Sequence, residues 1–274
     1  MKLHQASTAA AALLVLSLTA TACGKSDSGD GGDKGGKINI GVKFDQPGLG
    51  LKTPDGSFAG FDIDVATYVA KELGYDAKDI NWKEAPSAER ENLISNGDVK
   101  FVVASYSITD ERKQKVDFAG PYFLAHQDLL VRAGDKSITK PEDLNSKKLC
   151  SVTGSTSAQN MKTELAPKAD LLQYGGYSEC LTGLENKAVD ALTTDDSILA
   201  GYAAQKEHQG KFQLTGLKLS DENYGIGLKK GDADLQKKIN DALTKMESDG
   251  SWEKAVTANF GSANYKNEPA PKIG

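Results

Sequence analysis

Two short stretches of the sequence place an arginine where a helix begins. In SITDER, Thr109 is a good N-cap and Arg112 follows at the third helical position; in APSAER, Ser87 and Arg90 have the same spacing. The positive end of a helix dipole disfavours a cation in the first turn. Each arginine therefore predicts a negative partner. That partner is either a neighbouring glutamate on a solvated surface or a ligand carboxylate, which a guanidinium can bind through two parallel hydrogen bonds.

A third helix start, VTGSTSAQ, leads from a predicted strand through Gly, Ser and Thr residues into a helix. The backbone N–H groups at such a start are free and attract anions, and the hydroxyl groups add further donors. All three helix starts follow strands or extended segments, which is where open α/β sheets bind their ligands. Each one alone can be a capped surface helix with solvated charge. Together they predict a crevice that binds an anion.

Charged residues at two other strand ends complete a candidate ligand set. Asp195 and Asp196 follow the strand VDALTT, where either can receive an ammonium group or simply open the next helix, the role we prefer for Asp196. Lys43 ends the first strand, INIGV, and is either solvated or a further cation of the crevice. Arg112 and the TGST turn suit an α-carboxylate, and Asp195 suits an α-ammonium. Arg90 and Lys43 remain for a second carboxylate, so the charges describe an acidic amino acid.

Composition excludes several functional classes. The chain has 274 residues, a net charge of -5 and no basic patch with interleaved aromatic residues, which argues against nucleic acid as a partner. Beyond the N-terminal region only His126 and His208 remain, too few for a zinc cluster or a histidine-based triad. VTGSTSAQ also lacks the G-x-S-x-G pattern of a nucleophile elbow. We therefore predict a binding protein rather than an enzyme, with no cofactor and no metal site.

The first 23 residues have the pattern of an export signal. A lysine near the start precedes an apolar stretch from Ala9 to Leu18, and small residues precede Cys23. The apolar stretch is too short to span a bilayer. We expect cleavage before Cys23 and lipidation of its thiol, with an ordinary secreted protein as the alternative. Residues 24–36, rich in Gly, Ser and Asp, predict a flexible tether, so the protein is expected to be extracytoplasmic and lipid-anchored to the cell membrane.

Two cysteines remain if Cys23 is lipidated. Cys150 and Cys180 would then lie in an oxidising compartment. A disulfide between them closes a loop of about 30 residues and stabilises the fold by about 3 to 4 kcal/mol in the chain-entropy description. Two free buried thiols are the alternative, and we expect the disulfide.

From Lys37 onward, short apolar runs alternate with amphipathic stretches, as in an α/β protein. FDIDVATYVAKELG has apolar residues on one helical face. A helix is expected to begin at Ser87, and VKFVVAS predicts a buried strand that ends at Ser105. PYFLAHQDLLVRAG predicts one long extended segment. The order of these elements predicts a mixed α/β fold.

Two similar segments, NGDVKFV and NKAVDAL, predict an organisation in two lobes. Lobe 1 comprises residues 37–124 and 224–274, and lobe 2 comprises residues 125–223. Two extended crossings, near Ala125 and near Glu222, are expected to act as a hinge, with the ligand between the lobes. A single large open sheet is the alternative.

Several of these stretches resemble a known family, the extracytoplasmic solute-binding proteins of polar amino-acid ABC transporters (family 3 type). GFDIDVATYVAKEL matches its signature helix, and SITDERKQKVDFAGPY and VDALTTDDSILAG match two further segments in order. KFDQPGLG, SYSITDER, VTGSTS and TTDDSILAG are most similar to glutamate-binding lipoproteins. The resemblance implies a two-lobed periplasmic-binding-protein-like clamshell of type II with the ligand cleft between the lobes. It also implies a monomer that captures L-glutamate and delivers it to an ABC permease and its ATPase.

The resemblance further implies ten ligand-binding residues: Lys43, Ser87, Arg90, Ser105, Ser107, Arg112, Thr153, Thr156, Tyr177 and Asp195. Arg112 and Ser107 match residues that hold the ligand α-carboxylate, with help from the two threonines. Ser105, through its backbone carbonyl, and Asp195, through its carboxylate, match residues that receive the α-ammonium.

Three of the remaining four residues concern the ligand side chain. Ser87 and Arg90 match positions that read the side chain in acidic amino-acid binders. Lys43 stands where amide-binding relatives carry an acid, so its charge favours glutamate or aspartate over glutamine. Tyr177 matches a position that is sometimes a ligand contact.

Three alternatives stay open at this point. The same fold can bind aspartate or glutamine. A dehydratase-type enzyme can also use the clamshell, but it needs a general acid above the ligand, and no unpaired His or Glu suggests itself. A sensor lobe would ordinarily be fused to a transmembrane helix and a signalling domain, neither of which the sequence predicts.

Overall fold

The computed structural model describes residues 36–263 and 265–274. The predicted export signal, Cys23 and nearly all of the predicted tether lie outside the described residues. Among the residues described, no helix combines the length and the apolar character that a membrane span requires.

The described chain alternates strands and helices, as the sequence predicts. The strands are β1 Ile38–Val42, β2 Asp45–Gln46, β3 Gly50–Lys52, β4 Phe58–Ala59, β5 Ile80–Glu84, β6 Phe101–Val102, β7 Asp117–Arg132, β8 Lys148–Val152, β9 Asp170–Tyr174, β10 Ala191–Asp195, β11 Phe212–Leu214 and β12 Ser220–Leu228. The α-helices are α1 Phe61–Glu72, α2 Arg90–Asn96, α3 Asp110–Lys113, α4 Thr156–Asn160, α5 Tyr177–Glu185, α6 Asp196–Ala204, α7 Ala233–Ser248 and α8 Ser251–Phe260. Short 3-10 turns span Ala77–Asp79, Pro141–Ser146, Lys206–His208 and Gly261–Ala263, and a wider π turn, Met161–Leu165, continues α4.

Nine of the described strands form one hydrogen-bonded sheet in the order β5-β1-β6-β12-β7-β10-β8-β9, with β11 also paired to β7. Strand β1 runs parallel to β5 and β6, and β8 runs parallel to β9 and β10. The two parallel groups are joined through β7 and β12, which pair antiparallel to each other. The short strands β2, β3 and β4 form a separate sheet.

The two predicted crossings are these two joining strands. Ala125 of β7 lies directly opposite Glu222 of β12 in their ladder. The two groups of parallel strands therefore belong to one connected sheet, joined by β7 and β12. The boundaries of the two lobes stay a prediction.

Aromatic side chains pack β7 against the helices of the first group. The ring of Phe61, in α1, lies 5.1 Å from the ring of Phe123, in β7, and 5.8 Å from that of Phe260, in α8. The indole N–H of Trp252 donates to the backbone oxygen of Tyr122 at 2.8 Å. Buried aromatic residues contribute large apolar areas, so this cluster fixes where β7 runs relative to α1 and α8.

Two predicted boundaries are wrong. Helix α2 begins at Arg90 and not at Ser87, because the Ser87 hydroxyl accepts from Lys43 Nζ at 2.9 Å instead of capping a helix. The strand expected to end at Ser105 pairs only over Phe101–Val102. Ser105 has a φ of 42°, a left-handed conformation that cannot continue a strand.

The predicted disulfide is confirmed. Cys150, in β8, is bonded to Cys180, in α5, with their Cα atoms 5.5 Å apart. The bond fastens α5 to the face of the second parallel group.

Candidate functional site

Most of the predicted site residues line one small cavity. Eight of the ten are on its wall: Ser87, Arg90, Ser105, Ser107, Arg112, Thr156, Tyr177 and Asp195. The wall also contains Gln46, Ser155 and Ile198, which the sequence analysis did not select. The fold thus brings together residues from six separate stretches of sequence. Their role in ligand binding stays a prediction.

Lys43 and Thr153 do not line the cavity. Lys43 is buried behind it, where Nζ donates to the Ser87 hydroxyl. Thr153 is exposed, and its backbone N–H donates to the oxygen of Tyr174 at 3.0 Å. Ser155, two residues further along, lines the cavity beside Thr156, and its hydroxyl caps α4 by accepting from the N–H of Ala158 at 3.0 Å.

Arg112 is held rigidly at the cavity wall. Its backbone N–H donates to the Thr109 hydroxyl at 3.2 Å, which confirms the predicted N-cap. Its side chain is buried, and the two terminal nitrogens donate to the backbone oxygens of Ser107 at 2.7 Å and Gly154 at 3.0 Å. Its Nε lies 3.7 Å from a carboxylate oxygen of Glu91, a partner from α2. Arg112 is therefore not the exposed arginine of a capped surface helix.

Arg90 is a buried cation that forms no salt bridge with an acid of the described residues. It is 2% exposed, and Nη1 donates only to the backbone oxygens of Ala104 at 3.1 Å and Ser105 at 3.4 Å. Its guanidinium lies 4.0 Å from the centre of the Tyr106 ring. In the described part of the chain, no carboxylate comes within 4.0 Å of it, and its Nε has no hydrogen-bond partner. Burial and the nearby Arg112 lower the pKa of Arg90 to about 10.

The positive charge extends to Lys43. Burial, together with repulsion from Arg90, lowers the pKa of Lys43 to about 7, and Asp45 opposes this shift only in part. Two cations, Arg90 and Arg112, therefore line the cavity, and a third, Lys43, contacts its wall through Ser87. A buried charge without a partner is costly, so this side of the cavity is suited to an anion.

The opposite side of the cavity carries an acid. Asp195 is 4% exposed and accepts hydrogen bonds from the Tyr224 hydroxyl at 2.5 Å and the Ser157 hydroxyl at 3.4 Å. Burial, with repulsion from Glu222, raises the pKa of Asp195 to about 8. A cation placed beside it would favour the ionised carboxylate.

The carboxylate of Asp196 accepts hydrogen bonds within the fold. This agrees with the role we prefer for it, which is to open helix α6. Its Oδ1 accepts from the N–H of His126 at 3.0 Å, the N–H of Ser197 at 2.8 Å and the hydroxyl of Tyr265 at 2.8 Å. These bonds fix the start of α6 against β7 and the C-terminal segment. Of the two adjacent acids, only Asp195 lines the cavity.

A hydrogen-bond network holds Ser105 in its unusual conformation. Its backbone N–H donates to Asp62 at 2.8 Å, and its hydroxyl donates to the side-chain oxygen of Gln46 at 2.9 Å. Asp62 is buried in α1 and also accepts from the Tyr122 hydroxyl at 2.7 Å; burial raises its pKa to about 6. A left-handed conformation outside glycine costs roughly 1 to 3 kcal/mol, and such residues cluster at functional sites.

Thr156 joins the two sides of the cavity. Its hydroxyl donates to a carboxylate oxygen of Glu222 at 2.9 Å and lies 3.5 Å from the hydroxyl of Ser107. The described residues contain no group of three or more His, Cys, Asp or Glu side chains that could hold a metal ion. The chemistry available in this cavity is charge recognition by hydrogen bonds, with cations on one side and a carboxylate on the other.

Comparisons with known proteins give a consistent result. A sequence model of the bacterial extracellular solute-binding proteins, family 3, matches residues 38–262. The chain is 47% identical to the glutamate-binding protein GluB of Corynebacterium glutamicum over 257 residues, which cover 89% of this chain and 86% of that protein. It is 45% identical to the ABC transporter glutamine-binding protein GlnH of Bacillus subtilis, over 79% of this chain and 78% of that protein.

A solved structure has the same fold. An ancestral arginine-binding protein bound to glutamine superimposes with a TM-score of 0.76 and 35% sequence identity. The match covers 82% of this chain and 98% of that chain. The chain therefore shares its fold with a solved amino-acid-binding protein.

Proposed function

Since the chain belongs to the bacterial extracellular solute-binding proteins, family 3, we propose that it captures L-glutamate outside the cytoplasm and delivers it to an ABC importer. The observation that carries the choice of an acidic amino acid is the buried, acid-free guanidinium of Arg90. The name of the similar protein GluB supports the same choice.

The balance of charge in the cavity favours a ligand with two carboxylates. Arg112 has one acid, Glu91, within 4.0 Å, whereas Arg90 and Lys43 have none in the described chain. A neutral amino acid brings one carboxylate and leaves at least one buried cation without an anion. The second carboxylate of glutamate removes that cost, and glutamine lacks it.

Each part of the ligand has a matching set of groups in this proposal. Arg112 and Ser107 bind the α-carboxylate, with Thr156 and Ser155 on the opposite wall. The carboxylate of Asp195 and the backbone carbonyl of Ser105 receive the α-ammonium.

The side-chain carboxylate of the ligand would meet the remaining cations. Arg90 and Ser87 contact it directly, and Lys43 acts through the Ser87 hydroxyl that it already holds. Tyr177 closes the cavity at its rim. Contacts from both predicted lobes exist only when the cleft is shut, so the ligand shifts an open population toward a closed one.

Anchoring and delivery belong to the same proposal. Residues 1–23 act as the export signal, Cys23 carries the lipid, and residues 24–36 tether the folded body to the cell membrane. The closed monomer then docks on a permease that a separate ATPase drives. Hinge motion takes place where Ala125 and Glu222 face each other.

The test is a calorimetric titration of the chain lacking residues 1–23. L-glutamate, L-aspartate, L-glutamine and L-arginine are titrated in parallel, and we expect tight one-to-one binding of glutamate. If glutamine binds tightest, the family assignment stands and the roles given to Arg90 and Lys43 fail.

Glutamine capture is the second candidate, favoured by the similarity to GlnH. A dehydratase-type enzyme has less support, because the described residues that line the cavity include no histidine and no glutamate to act as a general acid. Full recovery of unchanged amino acid after prolonged incubation with the protein separates binding from turnover.

Glutamate binding is expected to be coupled to the release or uptake of protons. The direction of this exchange should reverse between pH 7 and 8. The ligand ammonium favours ionised Asp195, whose pKa is about 8 in the empty cavity, so at pH 6 binding releases about one proton. The ligand carboxylate favours charged Lys43, whose pKa is about 7, so at pH 9 binding takes up about one proton. At each pH, calorimetry in two buffers that both hold that pH but differ in their heat of ionisation measures the number of protons exchanged. Lys43→Met should abolish the uptake and keep the release; equal heats in both buffers at both pH values would contradict the linkage.

Lys43→Asp is expected to invert the preference for acidic ligands. The new carboxylate repels the side chain of glutamate and can accept a hydrogen bond from the amide of glutamine. We expect the affinity for glutamate to fall by more than about tenfold and the affinity for glutamine to rise relative to it. The control is Lys78→Asp, at an exposed lysine paired only with Asp76. An unchanged ranking of the two ligands would remove Lys43 from the site.

A further inference from the structure

A contact outside the cavity joins β2 to the start of α5. Helix α5 has Gly176 as its N-cap residue and therefore no side-chain cap of its own. The cap comes from a distant segment, since a carboxylate oxygen of Asp45 accepts the N–H of Tyr177 at 3.2 Å. A side chain at position 176 would come within 2.6 Å of the same oxygen, so the glycine leaves room for it. The carboxylate also complements the positive end of the helix dipole.

The same segment packs against α6. The backbone oxygen of Asp45 accepts a hydrogen bond from the Tyr202 hydroxyl. Two residues further on, the backbone oxygen of Pro47 lies directly against Gly201. A Cβ atom at position 201 would come within 1.9 Å of that oxygen. Glycine in a helix interior is less stable than alanine, so α6 carries a locally unfavourable residue at the point of closest approach.

These contacts connect the two predicted lobes without touching the cavity. Asp45 and Pro47 belong to predicted lobe 1, and Gly201 and α5 belong to predicted lobe 2. None of Asp45, Pro47 and Gly201 lines the cavity, but their neighbours Gln46 and Tyr177 do. In a hinge opening that separates the two predicted lobes, these contacts would break.

We infer that Asp45 and Gly201 are positioning residues for ligand retention, which act by stabilising the closed cleft rather than by binding the ligand. The inference rests on the proposed function and on the predicted lobes. Asp45 supplies a helix cap that exists only on closure, and Gly201 permits the approach of the Pro47 backbone. Ligand affinity then includes the free energy of this contact, because a ligand held between the lobes dissociates when they open.

Gly201→Ala separates closure from folding. In the open, ligand-free form that the proposed function assumes, Pro47 is away from position 201, so alanine, which favours the helix, should not lower the melting temperature. The added methyl group collides with the Pro47 oxygen in the closed form, so we expect the affinity for L-glutamate to fall by about 100-fold, mainly through faster dissociation. Calorimetry and stopped-flow fluorescence measure the two quantities.

The matched control is Gly183→Ala, also inside a helix. A Cβ atom there meets only the Val189 side chain, at an ordinary 3.5 Å. This variant should bind within about twofold of the wild type. The second variant, Asp45→Asn, keeps the shape and removes the charge of the cap, with an expected loss of about tenfold. Gly201→Ala changes no charge, so its effect cannot arise from the influence of Asp45 on Lys43.

The outcomes distinguish this inference from the proposed function. If the wild type prefers glutamine, the titrations are repeated with L-glutamine, and a selective loss in Gly201→Ala and Asp45→Asn still supports the closing contact. Wild-type affinity in Gly201→Ala overturns the inference whichever amino acid is bound. A large loss in Gly183→Ala also overturns it, since the effect would then belong to glycine replacement in general. A wild type that binds none of the four amino acids overturns the proposed function and this inference together.

Discussion

Arg112→Ala is expected to weaken the binding of L-glutamate by roughly 150-fold or more, about 3 kcal/mol, while the chain stays folded. Two backbone oxygens hold the guanidinium in one orientation, so it presents a fixed pair of donors to a carboxylate. Its removal leaves a desolvated ligand carboxylate without its cation. Calorimetry measures the loss, and a thermal melt of the ligand-free variant checks the fold.

The matched control is Arg132→Ala. Arg132 also donates to two backbone oxygens, those of Leu184 and Val189, and lies away from the cavity. Its loss should lower the melting temperature and leave glutamate affinity nearly unchanged. If Arg112→Ala behaves in the same way as Arg132→Ala, the role of Arg112 is structural and its assignment to the α-carboxylate fails.

Arg90→Met is expected to stabilise the empty protein and to impair binding at the same time. In the ligand-free chain Arg90 is buried with no acid beside it, and replacing buried ionic groups by apolar residues of similar volume is often stabilising. We expect the free energy of unfolding to rise by about 1 kcal/mol or more, as measured by urea denaturation. The affinity for glutamate should fall by about 100-fold and the affinity for glutamine by much less, because only glutamate brings a second carboxylate.

The distinctive feature of this prediction is that the free energy of unfolding rises while the affinity for glutamate falls. A structural arginine would lose stability on replacement and would affect both ligands alike. Arg90→Lys provides the comparison, because it keeps the charge and loses the planar group that stacks on Tyr106. A destabilised Arg90→Met variant with equal losses for glutamate and glutamine would remove Arg90 from side-chain recognition.

The sequence predicted those parts of the site that depend on local rules. Thr109 is an N-cap because its hydroxyl reaches the third helical N–H, and the same rule made Arg112 conspicuous as a cation in a first turn. The stretch PYFLAHQDLLVRAG predicted one long extended segment, and β7 covers all but its last two residues. The alternation of short apolar runs with amphipathic stretches predicted the order of strands and helices.

The parts that depend on distant contacts could not be predicted. The helix expected at Ser87 starts later because its hydroxyl binds Lys43, which is 44 positions away. Gln46 lies in a strand of two residues, too short to show a period. Ile198 is an apolar residue of α6, and apolar spacing does not distinguish a cavity wall from a core. In the VTGST turn, only the folded backbone determines that Ser155 faces inward and Thr153 faces solvent.

The disulfide between β8 and α5 links recognition to cellular location. The turn with Ser155 and Thr156 leaves the end of β8, and Tyr177 begins α5, so one covalent bond spans the two elements that form a single wall of the cavity. That bond is made in oxidising compartments and is rare where cytosolic thiols are kept reduced. A chain kept in a reducing compartment would therefore present this wall as two unlinked elements.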